Sequence, residues 1–163
     1  MQILKRSVQG GLRQIHFSLV VFLLVAGSSP KAEAELTAVT TDSGICVNEN
    51  GQTVLFYRRS PRSIDGQFER SHYIHPLYSL RGDTLTEDFP DDHLHHRGIF
   101  WAWHQIWVGH RRIGDSWLCE NIVWDHTELS HSICDSVLRI ATTVLWKSPD
   151  FRNSNDDMEP IIK

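Results

Sequence analysis

What this chain of 163 residues lacks narrows the field first. It has three cysteines, Cys46, Cys119 and Cys134, and no C-x-x-C spacing. A structural zinc site made of thiolates is therefore not supported. Cys119 and Cys134 are close enough in sequence to close a short loop if oxidised, but an odd count leaves at least one thiol free. Burial of all three as small hydrophobes is the simpler expectation. There is no Ser-His-Asp nucleophile motif, no phosphate loop, no dinucleotide fingerprint and no H-E-x-x-H. The commonest plans for hydrolases, kinases, dehydrogenases and zinc proteases are thus set aside. Internal repeats, low-complexity tracts and helical periodicity beyond the first residues are also missing.

Long apolar runs are scarce too. The longest is Phe17–Ala26 (FSLVVFLLVA), ten residues. A bilayer span needs ~20 residues. The run follows Lys5, Arg6 and Arg13 and precedes Ala32-Glu33-Ala34, the layout of a secretory signal peptide over residues 1–34. The expectation is an exported protein, periplasmic or extracellular, with no stable membrane span. The leader carries Lys5, Arg6, Arg13 and Lys31 against Glu33. Removing these three net positive charges from the whole-chain −4 leaves −7. An acidic mature chain suits no nucleic-acid partner, because such binding rests on neutralising phosphates.

What is present points to β structure. Ile45–Val47 and Thr53–Tyr57 flank Asn50-Gly51, a strong hairpin signal. Residues 60–66 (SPRSIDG) read as a loop. Phe68 to His75 favours a strand, and Pro76 marks an edge strand or its end. Thr84–Thr86 reads as a short strand, Gly98–Trp103 as a buried one, and 108–114 as a turn between strands. Along Val137–Trp146, the set Leu138, Ile140, Thr142, Val144 and Trp146 is the more apolar and should face inward. Together these predict an all-β fold, an antiparallel β-sandwich over residues 35–147. Residues 148–163 read as a polar tail or a truncated connection. A lone sheet would leave an apolar face uncovered, which suggests an incomplete sandwich.

The chemistry concentrates in Glu87–Trp117. Five of ten histidines and four of six tryptophans lie there, behind Glu87, Asp88, Asp91 and Asp92. Apolar walls with a few convergent polar groups make a pocket. Three roles are open. His93, His95 and His96 are candidate ligands for a divalent metal, since imidazole suits zinc, copper, iron or nickel. In an extended chain His93 and His95 would share a face. Alternatively His93, His95 and His96 work with Asp92 and Arg97 in acid–base catalysis. Thirdly, Trp101 and Trp103 stack on a small molecule or carbohydrate while His75 and Asp88 satisfy its hydroxyls. Core packing is the ordinary use of Trp101, Trp103 and Trp107, and one or two of them are expected to follow it. Arg97 would bind an anion or hold a carboxylate.

The segments YIHPLYS (Tyr73–Ser79), TEDFPDDHLHHRGIFWAWHQIWVG (Thr86–Gly109) and IGDSW (Ile113–Trp117) resemble the secreted bacterial "methane oxygenase PmoA" family, a domain of unknown function. The resemblance runs roughly from Asn50 to Trp146, and the Pro90–Gly98 block is its most specific part. It implies an exported, β-rich protein, often longer than this chain. It also implies association with sugar-oxidoreductase-like and sugar-hydrolase-like proteins, hence carbohydrate metabolism. The matched positions are His75, Asp88, Asp92, His93, His95, His96, Arg97 and Trp103. Three functions follow as expectations: a carbohydrate-binding or carbohydrate-processing protein, a metal-dependent oxidoreductase as the family label suggests, or an inactive truncated fragment.

Overall fold

The computed structural model describes residues 34–162. The leader read over residues 1–34 therefore lies outside the described residues, apart from its last one. Eleven strands carry the described fold: β1 Leu36–Thr41, β2 Gly44–Glu49, β3 Gln52–Arg58, β4 Arg62–Ile64, β5 Gln67–Arg70, β6 Tyr73–Leu77, β7 Ile106–Val108, β8 Arg111–Gly114, β9 Val123–Cys134, β10 Val137–Arg152 and β11 Met158–Ile162. No helix occurs among the described residues. One sheet has the order β1-β2-β3-β6 and another β11-β10-β9, with separate hairpins β4-β5 and β7-β8. The pairings are antiparallel. The expected all-β antiparallel class is the one adopted. The two larger sheets meet where Tyr57 of β3 and Thr142 of β10 line one cleft, and where Thr40 Oγ1 lies 3.2 Å from His131 Nδ1.

Local chemistry explains most strand ends. Asn50 and Gly51 both adopt positive φ (51° and 78°), the type I′ geometry, and set Glu49 opposite Gln52. Pro76 lies in β6, which pairs only with β3 within its sheet and so tolerates a missing donor. In β10 the inward set is the predicted one. Leu138, Ile140, Thr142 and Val144 are partly covered and Trp146 is buried, while Val137, Arg139 and Ala141 are exposed. Trp146 joins Ile106 and Ile122 in the core, with Trp124, Val144, Ile161 and Ile162 packed around them.

Several expectations need correction. Residues 60–66 are not a simple loop. Asp65 and Gly66, with φ 51° and 74°, turn between β4 and β5, and Ile64 faces Gln67. Asp-Gly is the same hairpin signal as Asn-Gly. The segment read as one strand from Phe68 to His75 breaks at Ser71-His72, where His72 has φ 59°. Thr84–Thr86 contributes one isolated bridge, Tyr78 to Thr84, and no strand. The turn read over 108–114 is confined to Gly109-His110, and Arg111–Gly114 is β8.

Gly98–Trp103 is not a buried strand. Only Ile99 bridges, to Ile74, and Gly98 (φ 44°) and Gln105 (φ 64°) bend the chain on either side. The backbone of Trp103 is taken by a side chain instead: its N–H donates to Ser116 Oγ at 2.7 Å, and Ser116 Oγ donates to its carbonyl at 2.9 Å. Residues 148–163 are not merely a polar tail. They hold the end of β10 and all of β11, which pairs Arg152 with Met158 and Trp146 with Ile162. The polar turn between is closed by Asn153 Oδ1, which accepts from the amides of Asn155 and Asp157.

The cysteines are all free. Cys46 and Cys119 are half-buried, but Cys134 is exposed at the end of β9, against the expectation of burial.

Candidate functional site

The Glu87–Trp117 stretch is divided by the fold into three places: a buried ion pair, a histidine cleft and an aromatic cleft. The first is structural. Arg97 is fully buried and donates from Nη1 to Asp88 Oδ1 at 3.0 Å. Its Nη2 donates to the carbonyls of Arg62 (3.1 Å) and Phe68. Its guanidinium carbon lies 3.1 Å from the centre of the Phe89 ring. Asp88 Oδ2 also accepts from Arg62 Nη1 at 2.5 Å and from Tyr73 OH at 3.2 Å. Burial, then the Asp88 charge, push the Tyr73 phenol up to about 12.

These contacts bear on two of the candidate residues. Arg97 holds a carboxylate, through one nitrogen, and it lines neither cleft. Asp88 turns its oxygens towards Arg97, Arg62 and Tyr73. His75 sits behind the histidine cleft with Nδ1 3.0 Å from Thr86 Oγ1, and burial lowers its pKa.

The histidine cleft, about 520 Å³, is lined by Glu87, Asp92, His93, His96, Phe100 and Trp117 among others. His93 and His96 stack, with centroids 4.8 Å apart and planes 8° from parallel. His95 meets His96 edge-on at 4.6 Å and His93 at 5.8 Å. Trp117 stands 5.2 Å from His96, nearly perpendicular to it. Asp92 Oδ2 lies 3.0 Å from His93 Nδ1, a contact that lowers the Asp92 pKa. Burial lowers the pKa of His95, and the neighbouring His96 and His93 add to the effect. The Nε2 atoms of His95 and His96 are buried without a partner.

The three histidines gather, but not as a chelate. Lone pairs lie in the ring planes, and the near-parallel planes of His93 and His96 do not converge on one point. Among the described residues no group of three or more His, Cys, Asp or Glu is arranged to hold a metal ion.

The aromatic cleft, about 400 Å³, lies between the two larger sheets. Trp101, Trp103, Trp124 and Trp146 line it, with Tyr57, Arg70, Ser71, His72 and Thr142. Trp101 is 74% exposed and Trp103 48% exposed. Neither packs as core, and Trp107 does not either, at 53%. The buried tryptophan is Trp146, whose ring stands 5.0 Å from Trp103. His72 Nδ1 is 3.0 Å from Tyr57 OH, and its Nε2 is buried without a partner. Burial, with the nearby His126 ring, takes the His72 pKa down from 6.5 to about 4. Arg70, Ser71, His72, Trp124 and Tyr57 escaped sequence reasoning. They come from three separate segments that only the sheet packing brings together.

A second feature was also missed. Asp115 is fully buried, and its Oδ2 lies 2.8 Å from Nδ1 of the exposed His104. Its oxygens accept from the amides of Gln105, Trp117 and Leu118 as well. The turn at Asp115-Ser116 thus holds His104 and Trp103 in place. The only trace of it in the sequence is the IGDSW motif.

No curated protein and no solved structure matches this chain. A family model does match, over residues 44–155, which takes in the four-stranded sheet from β2, all of β10 and every residue named above as lining the two clefts. On that match the chain belongs to a family of unknown function, DUF6807.

Proposed function

We propose that this protein is exported and binds a carbohydrate in the aromatic cleft. The observation that carries this is the pairing of exposed Trp101 and Trp103 indoles with the polar groups of Arg70, Ser71, His72 and Tyr57 in one cleft. A sugar ring offers an apolar C–H face and a fringe of hydroxyls. Indole faces suit the first, and fixed hydrogen-bonding groups suit the second. The Trp101 and Trp103 rings stand 6.3 Å apart with planes inclined at 62°, so they present two platforms rather than one. If the sugar is processed as well as bound, the adjoining histidine cleft supplies an acid–base pair in Asp92 and His93. The charged leader at residues 1–34 supports export.

A saccharide-array screen of the purified protein tests this reading, followed by calorimetry on any hit. Trp101→Ala and Trp103→Ala should each weaken binding about 10-fold, near 1.4 kcal/mol, without unfolding the chain. No saccharide bound, or no change in Trp103→Ala, sinks the proposal.

A second reading is a metal-dependent oxidoreductase on His93, His95 and His96, in line with the methane oxygenase resemblance. The unpartnered Nε2 atoms of His95 and His96 favour it. It requires His93 to rotate off His96. Stoichiometric copper, iron or zinc in the purified protein, lost in His95→Ala, would establish it.

A further inference from the structure

Arg70 is buried, 1% exposed, yet it lines the aromatic cleft. Its hydrogen bonds go to two carbonyls and a sulfur: Nη1 donates to the Trp101 carbonyl (3.3 Å), and Nη2 to the Ser116 carbonyl and to Cys119 Sγ (3.4 Å). Its Nε has no partner. Phe100 and Trp124 flank the guanidinium, each ring centre 4.5 Å from its carbon. The contrast with Arg97 is direct. Arg97 is equally buried but has the Asp88 carboxylate at 3.0 Å. Among the described residues no carboxylate pairs with Arg70, and none lines the cleft. A buried cation without a counter-charge is costly, and burial does lower the pKa of Arg70. His72 is uncharged near neutral pH, so Arg70 alone sets the sign of the cleft.

We infer that the cleft takes an anionic saccharide, carboxylated or sulfated, whose charged group lies against Arg70 while its ring rests on Trp101 or Trp103. This inference rests on the carbohydrate reading above and names its substrate class. A guanidinium in a water-poor site binds carboxylate or sulfate oxygens strongly. The aromatic walls hold no second charge to compete. Because the mature chain is acidic overall, the preference would be local to the cleft rather than a general attraction for anions.

Calorimetry on the full-length processed protein tests it, with four probes: an oligogalacturonate, its methyl ester, a sulfated galactan oligosaccharide and its desulfated form. Binding of either acidic probe at least about 10-fold tighter than its neutral counterpart supports the inference. Arg70→Gln should abolish that preference, so that acidic and neutral probes bind the variant equally. Should Arg70→Gln fail to fold, the acid-against-ester comparison on the unaltered protein still decides. Equal affinity for acidic and neutral forms overturns the anionic preference and leaves the carbohydrate reading standing. Binding of none of the four, alongside an empty saccharide screen, overturns both.

Discussion

Asp88 Oδ1 accepts from Arg97 Nη1 at 3.0 Å, with the arginine side chain fully buried and the aspartate 5% exposed. The contact ties the acidic loop before the histidines to the residue that follows them. It also carries the two β-bridge partners, since Asp88 and Arg97 pair through their backbones as well. Asp88→Ala would leave Arg97 buried without its counter-charge. Loss of one partner of a buried pair costs about 3–5 kcal/mol. Urea denaturation should show a loss of that order. A loss under about 1 kcal/mol, typical of an exposed pair, would show that Arg97 is not confined as described.

Gly98 supports the same loop. It has φ 44°, and a Cβ there would overlap the Ile74 carbonyl oxygen and crowd the His75 side chain. Gly98→Ala should therefore lower the melting temperature sharply or block folding, because backbone must move to admit the methyl group. Gly109→Ala is the control. Gly109 has a similar φ of 58° but open space around it, so only the conformational strain remains. Equal melting temperatures for the two variants would refute the close approach at Ile74.

His72 gives a pH signature. Its folded pKa, about 4, lies below the ordinary 6.5. The unfolded chain therefore takes up a proton first as pH falls. The stability associated with neutral His72 is fully present above pH 6.5 and is lost as pH drops from 6.5 towards 4. Stability measured across that window should fall, and His72→Asn should flatten part of the slope. A slope unchanged by the substitution would place the titration elsewhere.

Export has its own readout. Expressed with its leader in a bacterium, the protein should be recovered outside the cytoplasm with Glu35 at its amino terminus, as intact-mass spectrometry would show. A cytoplasmic protein that keeps residues 1–34 would end the export proposal.

The turns and the facing of β10 were legible because they are set by near neighbours. Asn50-Gly51 needs only its own two φ angles to fold β2 onto β3. The inward set from Leu138 to Trp146 needs only the two-residue period of a strand. Asp65-Gly66 carried the same hairpin signal but sat in a stretch dominated by Pro, Ser and Gly. The sequence by itself also marked Glu87–Trp117 as unusual, through its density of His and Trp.

Where the parts of that stretch sit was decided by contacts at long range, and so by the tertiary structure. Arg97 reads as a group that binds an anion or holds a carboxylate, but its enclosure by Arg62, Phe68 and Asp88 comes only from the fold. Trp101 and Trp103 read equally as stacking surfaces or as core until Ser116 binds the backbone of Trp103 and takes it out of any sheet. Arg70 and His72 carry no signal of their own. They become cleft residues only because β3 and β10 close over them. Strand pattern records which side of a chain is apolar, whereas the charge and the walls of a cleft depend on which distant segments the sheets bring together.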